Sequence, residues 1–364
     1  MKYFLRSILV LFITVVGVSI YYVCDEDNFL NIDPTYEEAV FSDNFYYNTL
    51  NKKAKKYYSL IYNASLEYEN RIDCLFKYNS DDLYAAIDAF EKDFPLYAYW
   101  NVSGNTVSNL FKHKIIMNFD EDLDVISSNR KQIEEKAKEI IELCKIDDQY
   151  QTVLNIHDYL IDNITYSLDA KEAHTLSGAL INGEAVCDGY SKAFKYLMDL
   201  LDYNCVVVHG KAINQDDEPH AWNLIEINEN WYGVDVTWDD NKNENKYIYF
   251  LTTDQIMNLS HKADNNYIYP ICDDDSLFLK DDAYMIFQDD DYKQINEFIK
   301  NGLKNRHKDF YLFFNDEQRC EEVSEYLITD KKFVDIYKSV FTLNRTIYYG
   351  CKEIGNILYL YYHY

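Results

Sequence analysis

The chain has 364 residues, nearly half of them apolar, with only 10 Gly and 4 Pro. That is enough for two or three globular domains and excludes a disordered or fibrous polymer. A net charge of −27 excludes sequence-independent nucleic-acid binding, which needs a cationic face against the phosphates, and disfavours anionic polymers and lipid head groups.

Lys2 and Arg6 precede an apolar run from Ile8 to Val23, and Asp25, Glu26 and Asp27 follow it. Counted from Tyr3 or Phe4, the run reaches the roughly 17–20 residues of a spanning helix. The charge asymmetry predicts an uncleaved signal anchor over residues 1–24, seated in the cell membrane, with the bulk of the chain extracellular. No small-x-small site precedes Cys24, which argues against cleavage; cleavage would make the protein secreted. Tyr21-Tyr22-Val23 lacks the small residues of a lipoprotein site. An outward location permits disulfides, but the eight cysteines show neither CxxC nor metal-ligand spacing, and no pairing can be deduced.

Residues 36 to 95 are expected to be helical: Leu50, Ala54, Tyr57, Tyr58 and Ile61 share one face, and Ser80 caps a second helix that Pro95 ends. Short strands follow at 97–100 and 114–119, around a turn at Ser103-Gly104-Asn105. Residues 25–127 thus form a mainly helical N-terminal domain with no chemistry assigned. The 36 tyrosines serve as core and surface filler.

A second region covers 128–275. Ser128 or Asn129 starts a charged helix with Ile133, Ala137, Ile140, Ile141 and Cys144 inward, and a second helix carries Val153, Leu154, His157, Leu160 and Ile161. His157, on the apolar side, is expected to be a hydrogen-bonded core residue. Gly183-Glu184-Ala185-Val186-Cys187-Asp188-Gly189-Tyr190 is a turn feeding a helix whose apolar positions are Tyr190, Ala193, Phe194, Leu197, Leu200 and Leu201. Cys187 therefore falls in the first turn. Backbone N–H groups there are unpaired and the dipole is positive, conditions that favour the nucleophilic thiolate.

Strands follow: Asn204 to Gly210, then His220 to Ile227 and Trp231 to Trp238 around a hairpin turn at Asn228-Glu229-Asn230. His220 opens one strand of the hairpin and Asp235 lies on the other. A nucleophile at a helix start, an imidazole on a strand and an acid on the next make a Cys-His-Asp arrangement for acyl transfer. Asp235, between Val234 and Val236, needs a partner in such apolar surroundings. A tight hairpin would set it opposite Asn223 or Leu224, so twist, a bulge or a wider turn must carry it to His220. Asp239 and Asp240 are expected in a turn; no metal and no cofactor is assigned.

The motifs around Cys187, His220-Ala221-Trp222-Asn223 and Trp231 to Asp239, with His157-Asp158-Tyr159-Leu160 upstream, resemble the bacterial transglutaminase-like superfamily over about residues 130 to 275. The resemblance implies an α+β, papain-like core, with the Cys helix packed on an antiparallel sheet. It also implies Cys187 as nucleophile, His220 as base and Asp235 as orienter. It leaves the reaction open, since members crosslink, hydrolyse or are inactive.

Residues 276–364 alternate strand and helix: Ala283 to Gln288, a helix with Ile295, Phe298, Ile299 and Leu303, Phe310 to Phe314, a helix from Asp316 to Val340, and a hairpin of Thr346 to Cys351 with Ile357 to Tyr364. This is a small separate α+β domain. The functional expectation is a membrane-anchored enzyme acting on peptide or protein substrates of the cell envelope through a thioester. The alternative is a catalytically idle binding or scaffolding module. Transfer to a small arylamine or coenzyme ranks last, because nothing resembles a nucleotide site.

Overall fold

The computed structural model describes residues 41–74, 76, 78–97, 100–101, 107–109, 112–119, 122–213, 217–240, 247–279, 282–287, 292–342 and 346–364. The expected anchor over 1–24 and the turn at 103–105 lie outside them. Among the described residues no helix is long and apolar enough to cross a membrane. The chain divides into two compact units, 1–127 and 128–364.

In the first unit, α1 (Phe45–Thr49), α2 (Lys52–Leu66), β1 (Arg71–Cys74) and α3 (Ser80–Asp93) are followed by β2 (Trp100–Asn101), β3 (Val107–Asn109), β4 (Lys112–Ile116) and β5 (Asn118–Phe119). Ala54, Tyr57, Tyr58 and Ile61 are buried along α2. The cap of α3 is Asn79 rather than Ser80: its Oδ1 accepts from the N–H groups of Asp81 and Asp82 at 2.9 and 3.2 Å. β1 lies inside the stretch expected to be helical. Its alternation buries Ile72 and Cys74 against β4, a period-two signal too short to compete with the flanking helical pattern.

The second unit continues with α4 (Leu123–Cys144), which runs over from the first, and α5 (Gln149–Asn163). α4 begins before the expected Ser128, because its hydrogen-bond ladder already starts at the Asp122 carbonyl. Then come β6 (Thr165–Tyr166), β7 (Glu184–Ala185), α6 (Cys187–Asp199), β8 (Cys205–Ala212), β9 (Glu218–Ile227), β10 (Asn230–Val234), α7 (Val236–Asp239), α8 (Asp254–Met257) and β11 (His261–Ala263). The sheet order is β10-β9-β8-β11, antiparallel throughout. α6 packs on β8 and β9, and its Tyr190, Ala193, Phe194 and Leu197 are buried, as is Leu201 just beyond its end. Leu200 ends the helix and is exposed, contrary to expectation.

The stretch Trp231 to Trp238 is not one strand. β10 stops at Val234, and Asp235 leaves the sheet to cap α7. The carboxylate takes the N–H groups of a new helical turn, which ends the ladder.

The chain closes with β12 (Ala283–Ile286), α9 (Tyr292–Lys304), β13 (Asp309–Phe313), α10 (Glu317–Ser324), α11 (Lys332–Val340), β14 (Tyr348–Ile354) and β15 (Ile357–His363). The sheet order is β12-β13-β15-β14, with β12 and β13 parallel. The single helix expected over 316–340 is divided at Lys331, whose φ of +61° breaks the α conformation.

Candidate active site

Cys187 is the first residue of α6, and its N-cap is Val186. Valine has no side-chain acceptor, and no cap bond is made. The N–H groups of Cys187, Asp188 and Gly189 therefore belong to the turn for which the helix supplies no acceptor. Two glycines shape this entry. Gly183 sits at φ +68°, and a Cβ on Gly189 would lie 2.4 Å from the Ala173 carbonyl oxygen. That same oxygen accepts the Val186 N–H at 3.0 Å, which pins the chain just before the sulfur.

Among the described residues there is no disulfide, and of the cysteines only Cys187 and Cys351 are partly exposed. Burial pushes the thiols of Cys144, Cys205, Cys272, Cys320 and Cys351 up.

His220 is the third residue of β9, opposite Gly210 of β8, and is nearly buried. Its Nε2 lies 2.6 Å from Asp235 Oδ2. The β9–β10 turn is Asn228-Glu229, both at positive φ, the two-residue hairpin of tightest twist. It sets Val234 opposite Asn223. Asp235, one step further, would face Trp222, so it stands diagonal to His220 on the same side of the sheet. No bulge is needed: departure from the strand, at φ −121° and ψ 91°, swings the carboxylate toward the ring.

Asp235 is 1% exposed and fully engaged. Oδ1 accepts the N–H groups of Thr237 and Trp238 at 3.0 and 3.2 Å. Oδ2 accepts from His220 and also from His261 Nε2 at 3.0 Å. Burial raises the cost of its charge, but the two imidazoles hold its carboxyl well below the usual carboxylate range. An ionised carboxylate only accepts, so both Nε2 atoms carry protons. In His220 the Nδ1 edge is then the one left for the sulfur. Burial opposes charge on that ring, yet Asp235 and the contact with Cys187 push it up to about 10. Trp222 and Trp238 flank it, with ring centroids 6.2 and 5.2 Å away.

His220, Asp235 and His261 are the group of potential metal ligands found among the described residues. Their 2.6 and 3.0 Å contacts are hydrogen bonds. A tetrahedral zinc bound at 2.0–2.1 Å would need its ligand atoms about 3.3 Å apart.

Three further side chains escaped the sequence reading. Asp188 accepts from Lys192 Nζ at 2.7 Å and His209 Nε2 at 3.2 Å. Burial opposes its ionisation, but these partners hold its carboxyl down at about 2. Its negative charge beside Cys187 is thus already matched. Tyr166, half exposed, reaches the site because β6 pairs in parallel with β7, Tyr166 against Ala185. Burial, then Cys187, Glu218 and Asp235, push its phenol up, so ionisation there is disfavoured. His261 opens β11 within a polar stretch that carries no periodicity.

His157 is a buried, hydrogen-bonded core residue. Its Nε2 lies 3.1 Å from Oδ2 of Asp239, and both side chains are inaccessible. Asp239 closes α7, the turn Asp235 opens, and its Oδ1 accepts the Tyr249 N–H at 3.0 Å. Burial pushes Asp239 up to about 7. Asp240 accepts the Tyr190 hydroxyl at 2.5 Å, which ties α7 to α6.

Residues 135–236 match the model of a family described as the Transglutaminase-like superfamily. Among solved structures, one described as a TGase aligns at 15% identity and TM-score 0.28, over 46% of this chain and 51% of that one. A candidate cysteine protease from Cytophaga hutchinsonii aligns at 17% identity and TM-score 0.27, over 38% of this chain and 62% of that one. This chain therefore spans about half to three-fifths of those chains' lengths. No curated protein matches. The chain carries a transglutaminase-like domain of mixed helix and antiparallel sheet, and the matched stretch holds Cys187, His220 and Asp235.

Proposed function

We propose that this is a cysteine acyl-transfer enzyme that opens peptide or protein amides through a thioester. The observation that carries the reading is the relay at one end of the sheet: Cys187 at an uncapped helix start, His220 in contact with it, and Asp235 2.6 Å behind the ring. Cys187 Sγ bonds to the amide carbon, and the carbonyl electrons move to oxygen. The N–H groups of the first turn of α6 face the resulting oxyanion. As the C–N bond breaks, the His220 proton passes to the departing amine or ammonia. Water then releases an acid, or a second amine takes the acyl group. The first outcome is a peptidase or amidase and the second a crosslinking enzyme.

Lys2 and Arg6 ahead of the apolar run support anchoring in a bacterial cell membrane with the body outside, and hence substrates in the cell envelope. Incubation of the full chain with glutamine peptides, with and without a primary-amine probe, separates the two outcomes. Loss of both products in Cys187→Ala supports the reading. Equal product from Cys187→Ala defeats it. Absence of product from wild type, together with a Cys187 no more reactive than Cys351, favours the idle binding module.

A further inference from the structure

Asp235 serves two histidines, and acyl transfer uses only one. His261 comes from β11, at the opposite edge of the sheet from β10, with its Cα paired to Ala212 of β8. It is 2% exposed, and its only route to this role is through the acid: Nε2 meets the same Oδ2 that holds His220. Ser260 Oγ lies 2.9 Å from its Nδ1. Because Nε2 donates to the carboxylate, the neutral ring presents Nδ1 as an acceptor to the Ser260 hydroxyl, whose one proton it shares with the Tyr249 hydroxyl 3.4 Å from Ser260 Oγ.

We propose that His261 is a positioning residue for the acyl-transfer reaction, its Nε2–H holding Asp235 Oδ2 against His220 while Ser260 fixes the tautomer that makes this possible. The inference rests on the functional reading above and deepens it. Oδ1 of Asp235 is tied by backbone N–H groups, and with Oδ1 as the pivot the carboxylate could otherwise tilt Oδ2 out of line with the His220 ring. A second donor on Oδ2 removes that freedom.

The charged and titratable groups facing His261 are Asp235, His220 and Tyr249, and the Met257 carbonyl also bears on the ring. Trp222 and Trp238 close the remaining sides, at ring centroids of 5.0 and 4.3 Å. Burial, with the His220 charge beside it, keeps His261 below the ordinary histidine range despite Asp235. A neutral donor is the state the clamp requires.

The test compares His261→Leu, His261→Gln and Ser260→Ala in the full chain, with folding checked by circular dichroism. Nitrogen-15 NMR of the histidine rings reads the tautomers and the His220 titration, and iodoacetamide reads the Cys187 thiolate. His261 is expected as the neutral Nε2–H tautomer between pH 6 and 8. His261→Leu is expected to lower the His220 titration midpoint and slow Cys187 alkylation at pH 6 about tenfold, the effect of one charge-assisted hydrogen bond. His261→Gln, which retains a side-chain N–H, should recover most of both, and Ser260→Ala should fall between. An Nδ1–H tautomer would overturn the proposal. So would a His220 titration unchanged in His261→Leu, or Leu and Gln variants that behave alike. If wild-type Cys187 proves unreactive, the catalytic reading falls, and the NMR results still decide the clamp.

Discussion

Two buried carboxylates, one in each unit, are satisfied in nearly the same way and do different things. Asp93, at the end of α3, accepts the N–H groups of Tyr46 and Tyr47 at 3.2 and 2.9 Å and the Tyr58 hydroxyl at 2.8 Å. Asp235 likewise accepts two successive backbone N–H groups, and its side-chain donors are His220 and His261. A tyrosine beside a carboxylate keeps its proton: burial and Asp93 push the Tyr58 phenol far up. An imidazole in the same place is one proton from either state near neutral pH. The first arrangement closes a core of Phe41, Tyr47, Tyr58 and Phe90 rings. The second can move a proton to and from a sulfur. Burial and hydrogen-bond count do not distinguish a structural acid from an orienting one; the titration range of its donors does.

Asp235→Asn is the substitution of largest expected effect. It preserves shape but favours the wrong ring tautomer, and turnover on a glutamine peptide should fall about 10⁴-fold with the circular dichroism unchanged. Asp93→Asn should do the reverse, costing about 2–4 kcal/mol in urea unfolding while leaving Cys187 alkylation untouched. If the two variants behave alike, the contrast between the acids is wrong.

The pH dependence sharpens the same contrast. The His220 imidazolium is held up to about 10, above an unfolded value near 6.5. Its contribution to stability is therefore full below pH 6.5 and is lost as pH rises toward 10. Turnover should show an alkaline limb near pH 10, and Asp235→Asn should bring that limb down toward 6.5. The smallest effect is expected at Asp188, whose carboxyl is held down at about 2. Its contribution is present above the ordinary carboxylate value and fades as pH falls to 2. Asp188→Asn should cost about 2 kcal/mol in urea unfolding at pH 7 and little at pH 2.

What could be read from the residues was whatever has a local period or a strong punctuation. The Cys187 helix, the hairpin of β9 and β10, and the alternation of strand and helix in the last ninety residues, apart from the break at Lys331, follow from apolar spacing and turn signals. Asp235 was detectable as an acid in an apolar run. Its cap role was hidden, because Val236-Thr237-Trp238 has strand composition and only the side-chain bonds to Thr237 and Trp238 N–H turn it into helix. His261 had no local signal at all. It could have been sought by bookkeeping: a buried carboxylate has room for about four donors, and His220 with two backbone groups leaves one place unfilled. Which of the remaining histidines fills it depends on β8 and β11 pairing across some fifty residues, a long-range fact that no window of sequence contains.

The most direct measurement is the rate of iodoacetamide labelling at each cysteine at pH 6, read by peptide mapping in wild type and in His220→Ala. An ordinary thiol, with a pKa near 8.5, is almost wholly protonated at that pH and labels slowly. The relay predicts that Cys187 labels first and that His220→Ala slows it about a hundredfold. A Cys187 no faster than Cys351, or one indifferent to the loss of His220, would contradict it.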